Sequence, residues 1–306
     1  MTKLVVAAGA IVVAGAAVAA ALLLTRGSGG PATVPVPDRP GFPAPPVGAV
    51  VFSRELGPLA LALAAVPRPG HVLLQASAVG PDQSSVKHLD VAFTVQGSSK
   101  RAGSCGSGCY RATLPVHGSP GAVDVDVGGD VSSRWHVALP ASWPPRDASA
   151  LVARAGRAWR SLRSLAYHET LASDLHHTLT STWRVQAPDR LAYDSSTGTA
   201  GIIIGGRRWD RAPFSKRWVA SPQTPVKQPV PFWAAVSDAH LLGTTTVHGQ
   251  PVWRISFFDP RTPAWFTATV DRKTFRTLDL RMITTAHFMH HVYGSFNAAR
   301  PIEPPR

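Results

Sequence analysis

The stretch TPAWFTATVDRKTFRTLDLRMITTAHFMHHVYGSFN, Thr262 to Asn297, decides the fold. Ala264, Phe266, Ala268 and Val270 alternate with Trp265, Thr267 and Thr269. Asp271-Arg272-Lys273-Thr274 is a polar turn, after which Leu278, Leu280 and Met282 alternate with Thr277, Asp279 and Arg281. A period of two over this length predicts two long strands, followed here by a third, in a sheet with one apolar and one wet face. Such a sheet buries its apolar face only by curling around something.

Upstream, Ala148 to Leu165 places Leu151, Val152, Ala155, Trp159, Leu162 and Leu165 at helical spacing, and Asp147 is a natural N-cap. After it the sequence predicts strands at Tyr167–Ala172, Thr178–Val185 and Leu191–Asp194, then a Gly201–Asp210 hairpin and a short Arg217–Val219 segment. One helical turn is expected at Phe232–Val236 and a hairpin over Ala239–Phe258. The fold class is therefore mainly β, with a strongly curved antiparallel sheet, an incomplete barrel, wrapped on a helix over 148–297 and a short tail at 298–306.

Residues 47–140 hold short apolar runs broken by turn signals. Among them are Leu59-Ala60-Leu61-Ala62-Leu63 and the strict alternation of Leu89, Val91, Phe93 and Val95. This spacing predicts an Ig-like antiparallel β-sandwich, joined to the second part by a linker at 141–147 containing Trp143-Pro144-Pro145. Both cysteines lie here, as Cys105 and Cys109 in Cys105-Gly106-Ser107-Gly108-Cys109. Outside the cytoplasm an even count at close spacing suggests a disulfide; a thiolate pair for Cu(I) is the rival reading.

Leu4 to Leu24 is a run of 21 residues without charge, bounded by Lys3 and Arg26. A helix of that length crosses a bilayer, so residues 1–26 read as an uncleaved transmembrane anchor, with the globular parts outside the cytoplasm. Cleavage at Ala17-Val18-Ala19 is the alternative. Residues 27–46, centred on PATVPVPDRPGFPAPP, read as a stalk.

The formal net charge of +13 is uneven. Residues 47–140 hold 7 Lys+Arg against 6 Asp+Glu, whereas 146–306 hold 21 against 11. A basic second half suits anionic headgroups or acidic wall polymers; with a membrane-targeting segment ahead of it, nucleic acid is not expected as a partner.

Two stretches carry family resemblances. Arg54-Glu55-Leu56-Gly57, the run GSCGSGCYR at Gly103–Arg111 and the closing Leu139-Pro140 resemble YtkA-like extracytoplasmic sandwich domains, some of which accompany copper-handling membrane proteins. Trp183 to Leu191, Ile204 to Asp210, Trp265 to Asp271 and Met282 to Asn297 resemble the LolA/LppX-like lipoprotein-carrier fold. That resemblance implies an apolar cavity between sheet and helix for a lipid or acyl chain.

Trp159, Trp183, Trp209, Trp253, Trp265, Phe266 and Met282 are the candidate apolar lining. His287, Met289 and His291 fall on one face of a strand and form the alternative copper set; His176 and His177 are a further pair. No HExxH, P-loop, GxSxG or GxGxxG is present, and a binding role without catalysis or a resident cofactor is expected. Three functions stand open: a lipid-binding module, a copper-handling accessory, or a non-catalytic ectodomain for a protein partner.

Overall fold

The structure is a computed structural model, and it describes residues 44–56, 59–80, 85–128, 133–172, 178–284 and 288–306. The expected anchor, most of the stalk, and His176, His177 and His287 lie outside the described residues. Among the described residues no helix is long and apolar enough to cross a membrane.

The first part contains β1 (Val50–Leu56), β2 (Leu59–Arg68), β3 (His71–Val79), β4 (Asp90–Val95), β5 (Ser98–Arg101), β6 (Gly103–Gly106), β7 (Cys109–Pro115), β8 (Ala122–Gly128) and β9 (Ser133–Ala138). They form two sheets, β1-β2-β3-β7-β6 and β5-β4-β8-β9, packed as a sandwich. Cys105 and Cys109 are joined by a disulfide at the β6–β7 hairpin.

The second part begins with α1 (Ser149–Arg160). Val152, Ala155 and Trp159 share its buried stripe. Asp147 sits one residue outside the N-cap position, and its carboxylate accepts the Ser149 backbone N–H at 3.2 Å and hydroxyl at 2.7 Å. Arg157 and Arg160 occupy the last turn, where they complement the helix dipole. The helix ends short of the predicted Leu165, because the chain turns at Ser161 and Leu165 already belongs to the first strand of the large sheet.

That sheet comprises β10 (Ser164–Ala172), β11 (Thr178–Gln186), β12 (Arg190–Ser195), β13 (Ala200–Ile204), β14 (Arg207–Arg211), β15 (Val219–Pro222), β16 (Ser237–Val247), β17 (Gln250–Asp259), β18 (Ala264–Asp271), β19 (Thr277–Ile283) and β20 (Phe288–Gly294). Its order, β15-β14-β13-β12-β11-β10-β20-β19-β18-β17-β16, is two antiparallel meanders joined where the first strand pairs with the last. The sheet does not close. The concave side packs on α1, with Phe257, Phe266, Leu280 and Val270 buried in one cluster with Trp159.

Two sequence expectations fail locally. Phe232–Val236 is coil, since the N–H groups of Ala234 and Ala235 are taken by the Asp259 carboxylate at 2.7 and 3.3 Å instead of by helical carbonyls. In β19 a register irregularity at Thr269/Val270 turns Thr277 inward, where its hydroxyl accepts the Trp159 indole N–H at 3.2 Å. Leu278, expected on the apolar face, is displaced to a half-buried position.

The outer face of the sheet is not wet along its length. β2 is buried on both sides: Leu59, Leu61 and Leu63 face the sandwich core, while Ala60, Ala62, Ala64 and Val66 meet Phe258, Trp265 and Ile283 of the curved sheet. Small side chains on that face let the two sheets approach. Gly48 N–H also donates to Asp238 Oδ1 at 2.8 Å across the junction.

Candidate functional site

The concave face is organised in rows set by strand register. Tyr293 of β20, Tyr167 of β10, Trp183 of β11 and Tyr193 of β12 lie side by side, and the row ends at Gly201 of β13. Tyr167 stacks on Trp183 at 5.9 Å and Trp183 packs on Tyr193 at 4.8 Å. Gly201 is required there, because a Cβ would lie 2.3 Å from the Tyr193 ring.

The neighbouring row is polar: His291, Glu169, Ser181 and Ser195. Glu169 is 5% exposed and His291 0%. His291 Nε2 donates to Glu169 Oε1 at 2.9 Å, since an ionised carboxylate only accepts. Glu169 Oε2 accepts the Ser181 hydroxyl and the Trp183 indole N–H, each at 2.7 Å. With the ring neutral, the Tyr293 hydroxyl donates to His291 Nδ1 at 2.7 Å. Burial pushes the Glu169 carboxyl up, but the hydrogen bonds from His291, Ser181 and Trp183 outweigh it and hold it below its ordinary value. Burial and then the Glu169 charge push Tyr167 and Tyr293 well up, with Tyr293 adding to the first and Asp279 to the second, so both stay protonated.

This chain of groups has the connectivity of a proton relay, but its tyrosine end packs edge-on against Trp159 at 5.0 Å. Beside Glu169, Leu171, Trp183 and Tyr193 there is a cavity of about 10 Å³, enough for about one water and not for an acyl chain. Trp159, Trp183 and Phe266 thus fill the core. Trp253 stacks on Phe275 at 5.4 Å, and Trp209 lies half-buried on β14. Trp265 points to the opposite face, against the sandwich. Met289 and His291 do share the inner face, with both ring nitrogens of His291 engaged, while His290 points outward and pairs with Asp279 at 2.5 Å. No group of three His, Cys, Asp or Glu placed to hold a metal occurs among the described residues.

The roomier space lies between the two parts. A groove bounded by β1 on one side and the outer face of β17–β20 on the other holds two compartments of about 270 Å³ each, meeting at Ser53 and Arg281. One is walled by Phe52, Trp135, Val137 and Leu242, the other by Ile283 and Phe288, while the Met282 side chain belongs to the inner cluster. Arg254 and Arg281 line the first compartment, and Arg54 and Arg281 the second. None of the three has an ion-pair or hydrogen-bond partner among the described residues. The Thr269 hydroxyl, buried in the groove floor, is likewise unbonded. Of the acids present, Asp279 is taken by His290, leaving Glu55 at the rim. Sequence reasoning missed both the Glu169 cluster and this groove. Glutamate on the apolar phase of Leu165, Tyr167, Glu169 and Leu171 was the available signal for the first.

No family model matches the sequence, and no curated protein matches it. Among solved structures, the chain is similar to the lipoprotein LppX of Mycobacterium tuberculosis, at 11% identity and a TM-score of 0.40, over 50% of this chain and 97% of that one. LprF of Mycobacterium bovis gives 10%, 0.39, 52% and 96% in the same terms. A LolA-superfamily protein of Nitrosomonas europaea gives 9%, 0.24, 51% and 95%. The similarity to LppX and LolA-like proteins falls on the curved-sheet half.

Proposed function

We propose that the protein is a non-catalytic binding protein for an apolar ligand with an acidic head, tethered outside the cytoplasm by its Leu4–Leu24 segment. One observation carries this reading: the groove joins apolar walls to arginines with no partner of their own. Compartments of about 270 Å³ each approach the ~300 Å³ at which small-molecule pockets begin, and together they exceed it. Burying methylenes against Ile283 and Phe288 contributes roughly 0.8 kcal/mol apiece. Arg281, central to both compartments, suits a phosphate or carboxylate by its forked donors. The ligand is assigned to the groove because its compartments far exceed the cavity of about 10 Å³ beside Glu169. The Cys105–Cys109 disulfide supports an oxidising compartment.

The test is native mass spectrometry of the full chain purified in mild detergent. Wild type should retain a lipid or fatty acid, and Arg254→Gln/Arg281→Gln should lower retention about tenfold, the loss of one charge-assisted contact. Both arginines are exposed, so the fold tolerates the change. No co-purifying lipid and no uptake of a fluorescent fatty acid by wild type would sink the proposal, as would equal retention by the double variant.

A further inference from the structure

Five large hydrophobic side chains are exposed among the described residues: Val47, Phe214, Val219, Val236 and Val292. Two of them are close in sequence, at the start of the edge strand of the curved sheet and in the loop that leads to it. Phe214, in the loop from β14 to β15, is 103% exposed, and Val219, which opens the edge strand β15, is 60% exposed. The loop does not merely dangle. Ser215 N–H donates to the Ala212 carbonyl at 3.2 Å, and the Ser215 hydroxyl accepts Arg217 N–H at 3.0 Å. Phe214 itself adopts a φ of 60°, a conformation uncommon for a bulky residue. An ordered loop therefore holds a phenyl ring out into solvent.

The ring's surroundings define what it meets. Trp218 and Trp209 lie half-buried beside it in sequence and on β14, with the Arg211 guanidinium 5.2 Å from the Trp218 ring and that of Arg207 5.6 Å from Trp209. Asp194 and Asp210 are consumed by Arg211 and Arg208, at 3.5 and 2.8 Å. Arg207, Lys216 and Arg217 are left without acidic partners among the described residues. A protruding aromatic on a segment that also carries half-buried tryptophans and surplus cations matches a bilayer interface, where rings sit at the headgroup level and cations meet anionic lipid.

We propose that this corner, Arg207 to Val219, is a membrane-contact surface that docks on an anionic bilayer with Phe214 as the inserted residue. Twenty residues, Gly27–Pro46, separate the apolar N-terminal segment from the sandwich, a contour of at most ~70 Å. That length lets a tethered chain bring its sheet edge back to the membrane. The groove plays no part in this contact.

The experiment uses the full chain in nanodiscs of phosphatidylcholine with and without phosphatidylglycerol. An environment-sensitive dye is placed at Ala212→Cys, the chain's own cysteines being joined to each other. The dye should shift to the blue in the phosphatidylglycerol discs. Lys216→Gln/Arg217→Gln should lower the docked fraction at least tenfold, at about fivefold per cation. Phe214→Asp should lower it by tenfold or more. Arg157→Gln, a cation on α1, should leave it unchanged. Identical emission in both discs overturns the proposal, as does a shift that neither variant changes. A shift that follows protein concentration and not lipid charge marks self-association and overturns it too.

Discussion

Replacing Glu169 probes the polar row at the heart of the curved sheet. Its carboxylate receives three donors, from His291, Ser181 and Trp183, in a site where it is 5% exposed. Glu169→Ala strands the His291 N–H and the Ser181 proton; Trp183 keeps the Ser181 oxygen at 2.8 Å. Two buried unsatisfied donors at about 1–3 kcal/mol each, plus the void, give a loss of about 4 kcal/mol. In a unit of this size that lowers Tm by roughly 8–16 °C. Glu169→Gln keeps the shape and can still accept from Ser181 and Trp183. Its amide must then donate to His291 Nε2, which moves the ring proton to Nδ1 and turns the Tyr293 hydroxyl into an acceptor with its own proton unplaced. The expected loss is about 1–2 kcal/mol, with a changed ¹⁵N tautomer signature for His291. The pH dependence follows from the same carboxylate. Its folded value is depressed, so its stabilisation is complete above the unfolded carboxyl value of ~4.3 and disappears as pH falls through the lower folded value. Glu169→Gln should flatten that acid limb. Urea titrations across pH, read with the imidazole ¹⁵N spectrum, measure all of this. If Glu169→Gln matched wild type within ~0.5 kcal/mol and kept the wild-type tautomer, the hydrogen-bond assignment would be refuted.

Three further perturbations have signed outcomes. Burial holds the His240 pKa below its ordinary value despite Asp238 and Asp147, and both ring nitrogens are buried without partners. Stability should therefore be full above ~6.5 and fall below it; thermal melts of His240→Leu should show that slope removed at little cost in stability near pH 8. Cys105→Ser/Cys109→Ser opens a loop with a sequence separation of 4 and should cost about 2 kcal/mol by denaturant unfolding. Trp265→Ala removes a 1% exposed ring between the sandwich and the curved sheet, for about 3–5 kcal/mol, and proteolysis in the 141–147 linker should accelerate.

Much of this architecture was legible in local pattern. The period of two located β18, β19 and β20 and placed Met289 and His291 on one face with His290 on the other. What escaped was non-local. That β10 pairs with β20, bringing Glu169 against His291 over 122 positions, depends on register between strands whose alternation carries no address. The irregularity that exchanges Thr277 for Leu278 is a single-residue slip with no sequence marker of its own. The run Leu59-Ala60-Leu61-Ala62-Leu63 did carry its meaning, because an unbroken apolar strand is one buried on both faces. Its alanines are the small-residue face of an inter-domain contact.

The groove itself follows from how the outer face of the curved sheet changes over one step of the pleat. Phe258, Trp265, Ile283, Phe288 and Ala172 are neighbours across β17, β18, β19, β20 and β10, a continuous apolar row, and the first three meet the β2 alanines. Two residues along each strand, the adjacent row reads Ser256, Thr267, Arg281, His290 and Thr170. Beyond it Arg254, Thr269 and Asp279 follow. Apolar contact can extend only as far as the first row. Past it, β1 lies over polar groups it cannot match, since Ser53, Arg54 and Glu55 bring no partner for Arg281. A desolvated arginine without a counter-ion is costly, so the two surfaces part and the space stays open. An anionic, partly apolar guest satisfies both rows at once: its tail continues the Ile283–Phe288 row and its head neutralises the Arg281 row. The same reasoning predicts that Thr267→Leu/Arg281→Leu, by extending the apolar row, would tighten the two halves together and abolish binding, which thermal stability and lipid retention would report with opposite signs.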